Sequence, residues 1–200
     1  MVLVTRRAPD FTASAVLSNG KIIHDFNFQS YIQGKPAIVF FWPMDFTFVC
    51  PSELIAFDKR HAEFQKRGVE IIGVSCDSEF VHNAWRQVPI DKGGVGLVHY
   101  PMVADIKREI MKAYGVEHSE LGIALRGSFL IDKEGIVRHQ VVNDLPLGRN
   151  IEEMVRMVDA LQFHEKHGEV CPAQWKKGEE GMTPSPEGVV RYLSRNITRL

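Results

Sequence analysis

Three cysteines hold most of the chemistry this chain could do, and two of them precede proline, in Val49-Cys50-Pro51 and Val170-Cys171-Pro172. A cysteine attacks only as its thiolate, and an unperturbed thiol titrates near pH ~8.5. Cys50 stands where a strongly apolar run gives way to a helical pattern. Pro51 suits the first helical position, because the N–H it lacks would have no partner there. Cys50 would then lie at or beside the N-cap, facing orphan backbone N–H groups and the positive end of the helix dipole, both of which favour S⁻. Thr47, three residues earlier, is close enough in a turn for its hydroxyl to bond the sulfur or a bound oxygen. Cys171 sits in a Gly/Pro-punctuated stretch where a chain can move. The two are too far apart to be a local pair, so one thiol suits reaction and the other delivery.

Other readings of these residues stay open. A free cysteine is often an inert buried apolar group. A thioredoxin-type disulfide exchanger requires Cys-x-x-Cys, and Cys50-Pro51-Ser52-Glu53 lacks the second thiol. Cys76 ends an apolar strand with no proline after it and reads as structural. His164-x-x-His167-x-x-x-Cys171 has a spacing that could hold zinc, but only three ligands are local, so no metal is expected. No phosphate-cradling glycine loop or flavin motif is present, and no bound cofactor is expected.

The elements that must position these groups can be read from periodicity. Residues 36–42 are a continuous apolar run, as in a strand buried on both faces. From Pro51 to Arg67 the pattern is helical, with Leu54, Phe57, Phe64 and the stem of His61 on one face and Gly68 as the stop. Residues 69–75 read as a second buried strand, completing a βαβ unit. Shorter helices are predicted over 81–87 and 105–114. Residues 127–132 and 136–142 flank Lys133-Glu134-Gly135 as a hairpin. Asn150 is a candidate N-cap for a helix whose stripe is Ile151, Met154, Val155, Val158 and Leu161. Beyond Gly168 the composition shifts to Gly, Pro, Lys and Glu, predicting a mobile arm over 168–188 and a last helix over 189–197.

The chain has 200 residues, of which 44% are hydrophobic, enough for a sizeable core without disulfide staples. Lys+Arg 24 against Asp+Glu 25 gives no basic surplus for nucleic acid or an anionic membrane. The N-terminus lacks the apolar region of a secretory signal, and no run approaches membrane-spanning length, so a cytoplasmic location is expected. The layout predicts an α/β, thioredoxin-like fold, with a main domain over 1–165 and a C-terminal arm over 166–200.

The segment Phe41-Trp42-Pro43-Met44-Asp45-Phe46-Thr47-Phe48-Val49-Cys50-Pro51-Ser52-Glu53 closely resembles the peroxiredoxins, in particular the typical two-cysteine subgroup. The likeness continues through Gly73-Val74-Ser75, Gly93-Gly94-Val95-Gly96, Ala124-Leu125-Arg126-Gly127, the block 143–149 and Gly168-Glu169-Val170-Cys171-Pro172-Ala173-x-Trp175. The resemblance implies a thiol peroxidase reducing hydrogen peroxide and alkyl hydroperoxides. Within it, Cys50 is the peroxidatic cysteine, Thr47 bonds thiolate and peroxide, Arg126 stabilises developing charge, and Pro43 shields the pocket. Cys171 is the resolving cysteine, forming an intersubunit disulfide that thioredoxin or a flavoprotein disulfide reductase reopens. The same resemblance implies a homodimer assembling into a ring of five dimers, with Phe46 and Val81 near the contact between dimers. It also implies a holdase role as an alternative activity, and a peroxide-sensing thiol relay as another. The match of the glycine loop is accompanied by Tyr192-Leu193 where sensitive members carry Tyr-Phe, which implies intermediate sensitivity to over-oxidation.

Overall fold

A computed structural model describes residues 1–199, which divide into two compact units, Met1–Ile151 and Glu152 onward. The first unit is built on a seven-stranded mixed sheet. Its strands are β1 (Thr12–Val16), β2 (Ile22–Asn27), β3 (Ala37–Phe41), β4 (Glu70–Ser75), β5 (Met102–Ala104), β6 (Arg126–Ile131) and β7 (Val137–Asn143), in the order β2-β1-β5-β4-β3-β6-β7. β4 runs parallel to both β3 and β5, and the remaining pairs are antiparallel. The helices of this unit are α1 (Phe28–Ile32), α2 (Cys50–Lys66), α3 (Glu79–Gln87) and α4 (Glu109–Ala113).

Interior position explains why β3 is apolar throughout: all five residues are buried, and both faces lie under other elements. β3 pairs with β4 from Ala37↔Glu70 to Phe41↔Val74, and with β6 from Ala37↔Ile131 to Phe40↔Ser128. α2 joins β3 to β4 as the βαβ unit predicted, and it buries Leu54, Phe57 and Phe64. Phe57 stacks on Phe40 with ring centroids 4.1 Å apart, while the Tyr100 hydroxyl donates to the Leu54 carbonyl at 2.8 Å. The predicted hairpin is β6–β7, with Gly135 of its turn at φ 81°. β1, β2, α1 and β5 are additions that the periodicity does not announce.

The helix predicted over 105–114 is shorter than expected. Arg108 adopts a left-handed φ of 61°, which no helix interior tolerates, so α4 begins only at Glu109. Asp105, outside the helix, accepts hydrogen bonds from the backbone N–H groups of Ile110 (3.1 Å) and Met111 (2.8 Å).

The glycine loop after α3 is fixed by contacts rather than by conformational freedom alone. Trp85 Nε1 donates to the Gly93 carbonyl at 3.0 Å, and a Cβ on Gly94 would lie 1.9 Å from the Val88 carbonyl oxygen. Gly94→Ala is therefore expected to cost about 1–3 kcal/mol through overpacking against backbone. Urea unfolding of the variant checks this; an unchanged midpoint would show that the loop yields freely.

The second unit contains α5 (Ile151–His167) and α6 (Pro186–Asn196), followed by a 3₁₀ turn at Ile197–Arg199. Of the predicted stripe, Ile151, Met154, Val155 and Val158 are buried. Residues 168–185 are irregular, as their composition suggests, but they are tied down. Val170 and Met182 exchange backbone hydrogen bonds of 2.9 Å, and Trp175 packs on Phe163 at 4.8 Å. α6 begins at Pro186 and not at Val189, because the Ser185 hydroxyl accepts from the Gly188 N–H at 3.0 Å and Pro186 fits the first turn. Among the described residues, no helix is long and apolar enough to cross a membrane.

Candidate active site

The loop between β3 and α2 is held by a buried polar cluster. Trp42 Nε1 donates to Asp45 Oδ1 at 2.8 Å, and the other Asp45 oxygen lies 2.7 Å from His82 Nδ1. His82 Nε2 faces the Val103 carbonyl at 3.2 Å, while the Asp45 N–H donates to Asp77 at 2.9 Å. Burial pushes the Asp45 carboxyl above its ordinary range, and the bonds from His82 and Trp42 act in the opposite direction. With Asp45 anchored, the path of the next two residues is set. Phe46 turns the chain with a left-handed φ of 56° and rests its ring 5.7 Å from Trp85.

That turn aims Thr47 back at the start of α2. Its hydroxyl lies 2.7 Å from the Met44 carbonyl and 2.9 Å from Cys50 Sγ, so its single proton can go to either. Cys50 is the first residue of α2, with Val49 as N-cap, so Pro51 stands second and not first as expected. The shift by one residue puts the cysteine inside the first turn. Its side chain is completely buried.

Arg126, the first residue of β6, reaches the same sulfur across the sheet. Its Nη1 lies 3.4 Å from Cys50 Sγ and 2.7 Å from Glu53 Oε2, and its Nε donates to the Leu145 carbonyl at 2.7 Å. Glu53 also receives Arg149, through Nε at 2.8 Å, Nη2 at 2.9 Å and the backbone N–H at 2.9 Å. Arg149 lies over the rings of Phe40 and Phe57, at 5.4 and 5.8 Å. Burial alone would raise the Glu53 pKa; the Arg149 bonds and charge, then the Arg126 charge, outweigh it and hold the carboxyl below its ordinary value. For Arg126, burial opposes the charge, but the bonds and fields of Cys50 and Glu53 prevail and raise its pKa. Two buried guanidinium groups share one carboxylate, leaving one positive charge facing the sulfur.

Cys50, Thr47 and Arg126 therefore converge as their motifs suggest. Pro43 is buried on the same loop, and its carbonyl accepts from Cys76 Sγ at 3.5 Å. Cys76 is half-buried, with burial the leading reason that its thiol is pushed up to about 11. Cys171 belongs to the second unit, where its thiol donates to the Ala160 carbonyl at 3.4 Å. Burial raises its pKa and the Arg156 charge works the other way. His164 spends Nδ1 on the Glu169 carbonyl at 2.8 Å, and His167 lies against Phe163. Glu53 and Arg149 are site residues that the sequence reading does not single out. Glu53 has a signal, since three residues past Cys50 in a helix is the same face; Arg149 lies in a loop, and only its place in the block 143–149 marks it.

A buried cysteine at the start of a helix, with a hydroxyl and a guanidinium converging on its sulfur, on an α/β sheet of this order, defines a thioredoxin-like thiol peroxidase. The chain belongs to the AhpC/TSA family: residues 4–140 match that family, and residues 160–195 match the C-terminal domain of 1-Cys peroxiredoxin. It is 60% identical over 195 residues to alkyl hydroperoxide reductase C of Buchnera aphidicola subsp. Acyrthosiphon pisum, covering 98% of this chain and 99% of that protein. Identity to alkyl hydroperoxide reductase C of Helicobacter pylori is 56% over 199 residues, covering 100% of both. The reduced 2-Cys peroxiredoxin of Plasmodium vivax superposes with a TM-score of 0.93 at 44% identity, covering 97% of this chain and 100% of that one.

Proposed function

We propose that the chain reduces hydrogen peroxide and alkyl hydroperoxides with Cys50 as nucleophile and Cys171 as resolving thiol. The observation that carries this is the pair of donors, Thr47 Oγ1 and Arg126 Nη1, aimed at one buried sulfur. As a thiolate, Cys50 neutralises the positive charge left by Arg126, Arg149 and Glu53. It attacks the terminal peroxide oxygen: an S–O bond forms, the O–O bond breaks, and the alkoxide or hydroxide leaves and takes a proton. Donors already in place at the site of developing charge lower that barrier without reorganisation. Pro43, buried in the same loop, restricts water. The Cys171 thiolate of a second subunit then attacks the sulfenic sulfur, forming S–S and expelling hydroxide, which becomes water. A dithiol protein, thioredoxin or a flavoprotein disulfide reductase, restores both thiols.

In this reading residues 1–165 form the peroxidase domain and 166–200 the arm that delivers Cys171, in a homodimer that assembles as a cytoplasmic decamer. Exposed Phe46 supplies apolar surface for the contact between dimers. The reading is tested by non-reducing electrophoresis after one equivalent of peroxide. A covalent dimer is expected from the parent protein and from neither Cys50→Ser nor Cys171→Ser. Monomers throughout would remove Cys171 from the cycle, and a dimer in Cys50→Ser would remove Cys50.

A tail packed over the site would delay disulfide formation and give a second peroxide time to reach the sulfenic acid. Deleting residues 188–200 is therefore expected to raise the peroxide dose that inactivates the enzyme. Inactivation at an unchanged dose would count against a regulatory tail.

A further inference from the structure

In the second unit several contacts join the segment carrying Cys171 to α5, and among them Arg156 is the guanidinium. Arg156 grips Glu153 with Nε at 2.6 Å and Nη2 at 2.7 Å, and its Nη1 donates to the Trp175 carbonyl at 2.9 Å. Trp175 closes a turn with Pro172, its N–H donating to the Pro172 carbonyl at 3.2 Å, and Gln174 adopts a left-handed φ of 61°. Trp175 is itself buried, against Phe163, with its Nε1 donating to the Glu179 carbonyl at 3.2 Å. The turn immediately after Cys171 is thus pinned at its far end by a guanidinium whose remaining donors are committed to a carboxylate.

Cys171 itself is held in a form unsuited to attack. Its Sγ donates to the Ala160 carbonyl, a contact that a thiolate cannot make and that would repel one. On α5 the ionisable groups of this region are Arg156 with its partner Glu153, Asp159, which pairs with Lys177 of the arm at 3.2 Å, and His164. On the arm are Glu169, Lys176 and Glu179, the last accepting from the Lys176 N–H at 2.9 Å. Of these, Arg156 is the charge whose field favours ionisation of the thiol.

We infer that Arg156 is a positioning residue for the resolving step: it docks the Cys171–Trp175 turn through the Trp175 carbonyl and supplies the positive field in which the Cys171 thiol ionises. The inference rests on the proposed function and assigns it a control point outside the Cys50 site. In the step it governs, Cys171 loses its proton to solvent, its sulfur bonds to the sulfenic sulfur of Cys50, and the S–O bond breaks with release of hydroxide.

The test is stopped-flow tryptophan fluorescence across a pH series, after a single peroxide pulse, on the parent, Arg156→Gln and Arg156→Lys. The fast phase, oxidation of Cys50, is expected to be the same in all three, which also reports that the variants fold. Arg156→Gln removes the charge. The pH midpoint of its slow phase is expected to rise by roughly half a unit, lowering the thiolate fraction about threefold at neutral pH, a modest effect because the guanidinium is partly exposed. Arg156→Lys keeps the charge but cannot span Glu153 and Trp175, so its midpoint should match the parent while its plateau rate changes. An unmoved midpoint in Arg156→Gln, or equal shifts in both variants, would overturn the inference and leave the proposed function intact. A parent protein with no slow phase would overturn both.

Discussion

Arg126→Met is expected to slow oxidation of Cys50 by peroxide roughly 10²–10³-fold, the usual loss when one preorganised donor is removed from developing charge. Arg126 Nη1 is 3.4 Å from the sulfur, and the same nitrogen is oriented by Glu53 at 2.7 Å, so little is left to rearrange when the leaving oxygen becomes anionic. Methionine preserves much of the side-chain volume, and Glu53 keeps its three bonds from Arg149, so the fold should survive. Arg126→Lys is expected to recover only part of the rate, because one ammonium cannot serve Cys50, Glu53 and the Leu145 carbonyl with the geometry of the planar fork. Rapid-mixing kinetics with hydrogen peroxide measures both variants. A methionine variant that keeps most of the parent rate would exclude Arg126 from the chemistry.

Glu53→Gln is expected to destabilise the protein by on the order of 3 kcal/mol, since it strips two buried guanidinium groups of their shared counter-charge. The loss should carry a pH signature. The Glu53 carboxyl titrates below 4.5 in the folded chain and near 4.5 when unfolded, so on acidification the unfolded state takes up its proton first. The stabilisation is complete above about that value and is lost as pH falls through the folded pKa. Urea midpoints at descending pH are expected to fall more steeply below pH 4.5 for the parent than for Glu53→Gln. Parallel curves would mean that the carboxylate contributes nothing through its charge.

How far these features are legible in the sequence depends on distance along the chain. The βαβ unit is legible because β3, α2 and β4 each satisfy one periodicity and bury a continuous face. Thr47 and Cys50 are legible because three residues of turn bring them together whatever the rest of the fold does. Arg126 is reached only through the resemblance, for nothing local says that the first residue of β6 lies across from α2. Arg149 falls in the resembling block 143–149 but has no local signal: a loop has no period, and its carboxylate partner lies far away along the chain. The helix predicted over 105–114 fails for a different reason. Its apolar pattern is sound, but a left-handed Arg108 and the capping Asp105 side chain shorten the helix, and neither departure is encoded in a hydrophobic period.

α1, α3 and α6 each begin beneath a side-chain cap, supplied by Asn27, Ser78 and Ser185, whereas α2 begins at Val49 with none. A missing cap forgoes about 1 kcal/mol, so the turn bearing Cys50 frays more cheaply than a capped first turn would. Fraying cannot run far, because Glu53 is bolted to two arginines one turn in. The result is a short detachable tip on a rigid shaft: enough slack to carry an oxidised sulfur outward, while deuterium uptake beyond residue 53 stays as slow as in the rest of the rod.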